Sequence, residues 1–307
     1  MNKVRIATRK SQLALWQAHY VRDRLQDHHK HLEVELVEIV SEGDKTLDVP
    51  LSQVGGKGLF LKELEQSLLN KSADIAVHSM KDVTVTLPEG LIIAAICPRE
   101  DPRDAFVSNH YESIEKLPEG ATLGSCSLRR RCQIQAAFPH LKVENLRGNV
   151  NTRLGRLDNG DYDALILAAA GLIRLEFNTR IRQFLDVELS LPAVGQGAVG
   201  IECRENDSEI IQLLQPLIDE ESSLRVEAER AANARLGGGC HVPVAVFAEI
   251  DAGNMTVRGL VGELDGSRIL RARASGRAAE ATRLGDEVAG QLIEQGARQI
   301  LESVYAG

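Results

Sequence analysis

The sequence predicts an α/β protein built as two α/β units that the chain crosses between twice, followed by a C-terminal α+β unit with a three-stranded antiparallel sheet and helices. Three observations carry this. Strand-like and helix-like stretches alternate from the N-terminus, the pattern of a layered and largely parallel sheet. The alternation breaks at the charged, proline-containing segment Pro98 to Arg103 and then begins again. From Glu221 onward a helix, three strand-like runs and a long helical pattern replace it.

Val4 to Ala7 reads as a strand, and Ser11 to Gln26 as a helix with Leu13, Trp16, Tyr20 and Leu25 near one face. Glu33 to Val40 alternates apolar and polar residues like a half-buried strand, and Leu59 to Leu69 carries the helical spacing Leu61, Leu64, Leu68. Ile75 to Val77 and Leu91 to Cys97 are short apolar strands. In the second unit Thr122 to Gly124, Lys142 to Asn145 and Ala164 to Ala168 read as strands, with helices at Leu128 to Ala137 and Asn151 to Leu157. A further break, with Pro192, Gly195, Gln196 and Gly197, precedes the strand-like Val199 to Glu202, whose return to the first sheet would complete the double crossover. Glu221 to Leu236 is a helix. Val244 to Glu249, Met255 to Val261 and Arg268 to Ala274 are the last strands, and Ala279 to Glu302 is predicted as one long helix.

Composition narrows the function. With 307 residues, two or three units of roughly 100 residues each are expected. The 43% hydrophobic and 26% charged content is that of a globular chain. Met1 to Lys10 lacks the apolar core of a secretion signal, and no apolar run reaches membrane-spanning length, so a cytoplasmic protein without membrane contact is expected. A net charge of -8 argues against nucleic-acid binding, which needs cations to neutralise phosphate. Yet between Ala121 and Arg182 lie Arg129, Arg130, Arg131, Lys142, Arg147, Arg153, Arg156, Arg174, Arg180 and Arg182, against Glu144, Asp158, Asp161, Asp163 and Glu176. A basic middle in an acidic chain points to a small anionic ligand.

The arginines sit where an anion site needs them. Ser127-Leu128-Arg129-Arg130-Arg131 follows a strand and opens a helix, where free backbone amides already favour negative charge. Arginine adds bidentate hydrogen bonds to carboxylates. Arg147-Gly148-Asn149-Val150-Asn151-Thr152-Arg153 repeats the arrangement after the next strand, and Arg9-Lys10-Ser11 stands at a third such junction. Any one of these is ordinarily a solvated surface charge; their placement at successive strand-to-helix junctions weakens that reading for the group. Ligands of open α/β sheets bind beyond the carboxyl ends of strands, so the three places are expected to converge.

His78-Ser79-Met80-Lys81-Asp82 places a carboxylate beside an ammonium after a strand, and Asp82 is read with equal weight as an acid or base and as an ordinary cap or surface ion pair. Val54-Gly55-Gly56-Lys57-Gly58-Leu59-Phe60 lacks the phosphate-loop spacing and reads as a lid. Gly195-Gln196-Gly197-Ala198-Val199-Gly200 matches GxGxxG but runs into a strand instead of a helix, which discounts dinucleotide binding. The five cysteines lack zinc-ligand spacing, so no metal is expected. Cys97 and Cys203 read as buried small hydrophobes. Cys240 differs: Gly237-Gly238-Gly239 before it and His241 after it project the sulfur from a turn poor in side chains, and nearby cations would favour its thiolate.

Together these segments resemble the porphobilinogen deaminase family, essentially from Arg5 to the C-terminal helix. The carriers are Ile6 to Ala14, Gly56 to Phe60, His78 to Asp82, Gly124-Ser125 with Ser127 to Arg130, Arg147 to Asn149, and Leu236 to Cys240. The resemblance implies three domains, residues 1–98 with 198–217, 103–192, and 220–307, the first two built like periplasmic-binding-protein lobes. It implies a deaminating transferase that joins four porphobilinogen molecules into the linear tetrapyrrole hydroxymethylbilane with release of ammonia. It further implies a dipyrromethane cofactor held covalently through sulfur by Cys240, with Lys81, Asp82, Ser127, Arg129, Arg130, Asp44 and Ser79 as cofactor-binding residues. Asp82 would be the catalytic group, stabilising the pyrrole cation left when ammonia departs. Arg9, Ser11, Arg147, Arg153, Arg174, Lys57 and Phe60 would bind substrate, and the protein would be a monomer whose partner is a small molecule. A non-enzymatic two-lobed anion-binding protein and a nicotinamide oxidoreductase are the alternatives; Gly-Gly-Gly-Cys in the third domain opposes the first, and the misplaced glycine motif the second.

Overall fold

The computed structural model describes residues 2–39, 61–239 and 242–306. The chain divides into two compact units, Met1–Arg99 with Ala198–Ser223, and Glu100–Gly197 with Leu224–Gly307.

The first unit opens with β1 (Lys3–Arg9), α1 (Gln12–His28) and β2 (Glu33–Ile39), then α2 (Lys62–Leu69), β3 (Ile75–Ser79) and β4 (Leu91–Ile96). Alternation of side chains along the strands sorts the core into two layers, because successive residues face opposite sides of a sheet. Val4, Ile6, Ile75 and Val77 pack with Ala18, Val21 and Leu25 of α1. Ala7 and Ala76 face the other way, onto Leu64 and Leu68 of α2. Ser11 starts α1 by accepting a hydrogen bond from the Ala14 amide at 3.3 Å, so the helix begins directly after the Arg9 strand end.

The second unit begins with β5 (Asp104–Val107), followed by β6 (Thr122–Gly124), α3 (Leu128–Ala137), β7 (Lys142–Glu144), α4 (Val150–Asp158), β8 (Ala164–Ala168), α5 (Ala169–Arg174) and β9 (Ile181–Phe184). Its sheet runs in the order β7-β6-β8-β5-β9. Leu165 and Leu167 pack with Leu154 and Leu157 of α4, whereas Ile166 and Phe106 pack with Ile134 of α3.

The chain then returns to the first sheet as β10 (Val199–Arg204), inserted between β3 and β4 in the order β2-β1-β3-β10-β4, and α6 (Ser208–Leu214) follows. Both crossovers of the predicted architecture are therefore present. Each five-stranded sheet is largely parallel, with four strands running one way and one reversed: β10 is antiparallel to β3 and β4, and β5 to β8 and β9.

After α7 (Glu220–Leu236) come β11 (Val244–Asp251), β12 (Asn254–Gly262) and β13 (Ile269–Arg277), an antiparallel meander backed by α8 (Ala281–Glu294) and α9 (Ala297–Ala306). Its core joins Val246 and Val257 to Ala228 and Ala232 of α7, Leu284, Val288 and Leu292 of α8, and Ile300 of α9. The single helix expected from Ala279 to Glu302 is corrected to two. Gly296 adopts φ 102°, which ends α8 and starts a new helix direction, a conformation that glycine reaches without steric cost.

Buried Glu229 of α7 joins the second crossover to this meander: its carboxylate accepts from the Gly195 amide at 2.6 Å and from the Ala248 amide at 3.0 Å. Two backbone donors that would otherwise lie unsatisfied in the interior are thereby paired.

Candidate active site

In the first unit, β1 and β3 are parallel neighbours, so their carboxyl ends lie side by side. Arg9 ends β1 and Ser11 follows it; Ser79 ends β3, and Lys81 and Asp82 follow. Met80–Asp82 form one 3-10 turn directly after β3. Met80 is buried, Lys81 is half-buried and Asp82 is exposed, so the turn anchors by its first residue and presents its last to solvent. Gln17, 3% exposed on α1, donates from Nε2 to Ser79 Oγ at 2.8 Å and ties that helix to the end of β3. Because that bond occupies an acceptor site on Ser79, the serine O–H remains available as a donor.

In the second unit β7, β6 and β8 are adjacent parallel strands; Arg147 and Ser127 follow the carboxyl ends of β7 and β6, and Arg174 closes α5, the helix that follows β8. Ser127 caps α3 by accepting from the Arg130 amide, and Asn149 caps α4 by accepting from the Thr152 amide at 2.9 Å. Arg153 ties two of these ends together, donating from Nε to Gly148 O at 2.8 Å and from Nη2 to Cys126 Sγ at 3.8 Å. Gly148 has φ 111°, and a Cβ there would lie 2.8 Å from Thr152 Cγ2, so the Arg147–Asn149 corner needs glycine.

Arg129 and Arg130 are turned inward. Asp104 of β5, fully buried, accepts from Arg129 Nη1 at 2.8 Å and from Arg130 Nε at 3.0 Å and Nη2 at 2.7 Å. Ser190 Oγ and Gln196 Nε2 complete its shell at 2.7 and 3.0 Å. Burial alone would raise the Asp104 carboxyl, but the charges and hydrogen bonds of Arg129 and Arg130 outweigh it and hold Asp104 well below the usual carboxylate range. Arg129 also donates to Leu191 O and Arg130 to Ile166 O. Arg174, 7% exposed, donates from Nη2 to Gly197 O at 2.7 Å in the second crossover. The sequence signal for Asp104 was faint: an acid entering the apolar run Ala105-Phe106-Val107, directly after the segment read as a crossing.

Cys97 and Cys203 are buried in the core of the first unit, as expected for small hydrophobes. Asp44, Lys57, Phe60, the lid at Val54 to Phe60 and Cys240 lie outside the described residues. Among the described residues no cluster of three or more His, Cys, Asp or Glu could hold a metal ion, and no helix is long and apolar enough to cross a membrane.

Each unit carries groups of the kind that hold carboxylates: the Ser79 hydroxyl and Lys81 in the first, and the Ser127 hydroxyl with Arg147 and Arg153 in the second, where Asp104 is already paired by Arg129 and Arg130. Fold and site together define an α/β protein of two five-stranded sheets joined by a double crossover, with a C-terminal α+β domain and with cationic and hydroxyl groups after the carboxyl ends of its parallel strands.

Two family models resolve the identity, one described as "Porphobilinogen deaminase, dipyromethane cofactor binding domain" over residues 4–212, the other as "Porphobilinogen deaminase, C-terminal domain" over residues 223–294. The chain belongs to the porphobilinogen deaminase family. It is a transferase (EC 2.5.1.61) that polymerises porphobilinogen into hydroxymethylbilane in tetrapyrrole biosynthesis and uses a dipyrromethane cofactor. Among solved structures, the chain is similar to a putative methionine-binding lipoprotein from Bacillus subtilis subsp. subtilis str. 168, at 14% identity, 72% coverage of this chain, 92% of that one, and TM-score 0.45. It is also similar to the BvgS periplasmic VFT2 domain of Bordetella pertussis, at 16% identity, 70% and 86% coverage, and TM-score 0.44. A nutrient binding protein from Burkholderia cenocepacia bound to methionine matches at 14% identity, 71% and 93% coverage, and TM-score 0.45.

Proposed function

We propose that Asp82 is the catalytic carboxylate of this polymerisation and that Cys240 carries the dipyrromethane through a thioether. The observation that carries the first assignment is the Met80–Asp82 turn: Met80 is buried, Gln17 holds Ser79, and the Asp82 carboxylate stands exposed at a strand end. When bound, the dipyrromethane supplies the free pyrrole carbon to which an incoming porphobilinogen is joined.

Each porphobilinogen must lose its amine as ammonia, leaving a positively charged pyrrole with an electrophilic methylene carbon. The Asp82 carboxylate opposes that charge as it develops, where a fixed anion is most effective. Its Oδ atoms then take the proton released when the new carbon–carbon bond restores the aromatic ring, a positioned acid–base role worth about 10² to 10⁴ in rate. Lys81, Ser79 and Ser127 donate to cofactor carboxylates, Arg129 and Arg130 add positive potential to that site from their buried pair with Asp104, and Asp44 accepts from a pyrrole N–H of the cofactor. Arg9, Ser11, Arg147, Arg153, Arg174, Lys57 and Phe60 receive substrate and the growing chain. Two carboxylates on each pyrrole give about twelve negative charges at six rings, which accounts for local arginine density in an acidic chain.

The same reading makes the protein a cytoplasmic monomer of three domains, 1–98 with 198–217, 103–192 and 220–307, with a small-molecule partner and no nucleic acid or membrane. Intact-mass measurement tests it: the purified protein is expected to exceed its chain mass by two pyrrole units, and Cys240→Ser to lack the increment. An unmodified thiol in active enzyme would remove the assignment.

A further inference from the structure

β10 lies against β3 with Gly200 opposite His78 and Val199 opposite Ser79, so the start of the returning strand runs beneath the turn that carries Asp82. Two features of this seam go beyond sheet pairing. Gly200 leaves a notch: a Cβ there would sit 2.1 Å from Met80 Sδ and 3.1 Å from Met80 Cγ. Met80 is 1% exposed, its amide donates to Ala198 O at 3.0 Å, and Val83 N closes the turn onto Met80 O at 3.3 Å. Two residues further along, Glu202 Oε2 meets His78 Nε2 at 2.8 Å, with side chains 1% and 3% exposed.

A buried ionisable pair is a poor way to gain stability, since apolar residues of similar volume do as well or better. A glycine inside a strand likewise weakens it unless something must approach closely. Gly200 lies against the first residue of the three-residue turn, and Glu202 binds His78 in the strand that leads into it. The geometry points to Gly200 and Glu202 as positioning residues for the reaction: Gly200 seats Met80, Glu202 holds His78, and together they set where the Asp82 carboxylate stands. The inference rests on the catalytic reading of Asp82 and adds to it the parts that place the group. Since Asp82 follows Met80 by two residues in one tight turn, displacement of Met80 is carried to the carboxylate.

The test uses the full-length holoenzyme. Gly200→Ala is expected to lower kcat by about 10- to 100-fold, the scale of a misplacement near 1 Å, with KM for porphobilinogen unchanged to within about twofold and the pyrrole mass increment retained. Adding Met80→Ala removes the two atoms the new methyl would crowd, leaving only Ile96 Cδ1 at an ordinary 3.5 Å, and is expected to return kcat toward the parent value, a rescue that general loss of stability would not give. If Gly200→Ala does not fold, Glu202→Gln carries the test. It keeps the volume and an acceptor for His78 while removing the charge, and the same fall in kcat at constant KM is expected. Parent kcat in the folded variants, beside an Asp82→Asn enzyme that has lost turnover, overturns the positioning role and leaves Asp82 standing. Parent turnover in Asp82→Asn removes both readings.

Discussion

Asp104 Oδ1 accepts a hydrogen bond from Arg130 Nη2 at 2.7 Å, with the aspartate side chain fully buried and the arginine 6% exposed. Arg129 binds the other oxygen, so one carboxylate on β5 holds both of the first arginines of α3. Removing it would leave two buried guanidinium groups without their counter-ion. Asp104→Ala is therefore expected to cost about 3–5 kcal/mol, the usual penalty for breaking a buried pair from one side. Denaturant unfolding of the holoenzyme checks this, with a loss under about 1 kcal/mol contradicting the central role of the pair.

The same carboxylate sets an acid limit. Its folded pKa is depressed, so its contribution is complete above the unfolded value, about 3.9, and is lost as pH falls below it. The unfolded chain takes up a proton there that the folded chain refuses. Stability measured from pH 5 downward is expected to fall less steeply in Asp104→Asn than in the parent, and parallel curves would show that Asp104 is not the group responsible.

For Asp82→Asn, folding and the pyrrole mass increment are expected to survive because the side chain is exposed and isosteric, while turnover falls by about 10² to 10⁴. Steady-state ammonia release is the measurement, and near-parent rates would refute the catalytic assignment.

Arg153 bridges the loops after β6 and β7, and Arg147 lies in the second of them. Loss of a charged hydrogen-bond donor to a substrate carboxylate is worth about 1.5–3 kcal/mol, which corresponds to about a 10- to 100-fold weaker interaction. Arg147→Leu and Arg153→Leu should fail to load the primer or to extend it, visible as a missing or truncated ladder of pyrrole additions by intact mass. A normal ladder would count against an anion site at these strand ends.

Thiol chemistry gives an independent check on the interior. Burial pushes Cys132 up to about 12 and Cys203 up to about 11, with nearby arginine charge offsetting only part of the effect. Few thiolates exist there at pH 8, and Cys97 is buried as well. Iodoacetamide is expected to label half-buried Cys126 first among these four in the native protein, and all four in denaturant. Rapid native labelling of Cys132 would contradict its packing against Leu191, Ala245 and Leu260.

Much of the architecture could be read from local pattern. Strand-then-helix alternation, the break at Pro98 to Arg103 and the three late strands each reflect side-chain periodicity, which short segments carry by themselves. Thr122–Gly124, Leu128–Ala137 and Ala164–Ala168 fall where that pattern places them. Elements with weaker periodicity escaped: β5 and β9, four residues each, and α5, six residues, whose Ala-rich start continues the apolar run of β8. The break between α8 and α9 escaped because apolar spacing continues across Gly296 while the backbone turns.

For the site, motif order yields Asp82, Cys240 and the arginine-bearing junctions as candidates, because each motif is contiguous along the chain. What contiguity could not say is which charges face each other. Arg129 and Arg130 look in sequence like free cations at a helix start; folding aims them at Asp104, separated from them by 25 and 26 residues. Gln17 and Ser79, 62 residues apart, meet only because β1 and β3 pair. Periodicity and spacing are properties of neighbours in the chain and dictate elements and candidates, whereas the partner of a buried charge depends on long-range packing that brings distant residues within hydrogen-bond reach.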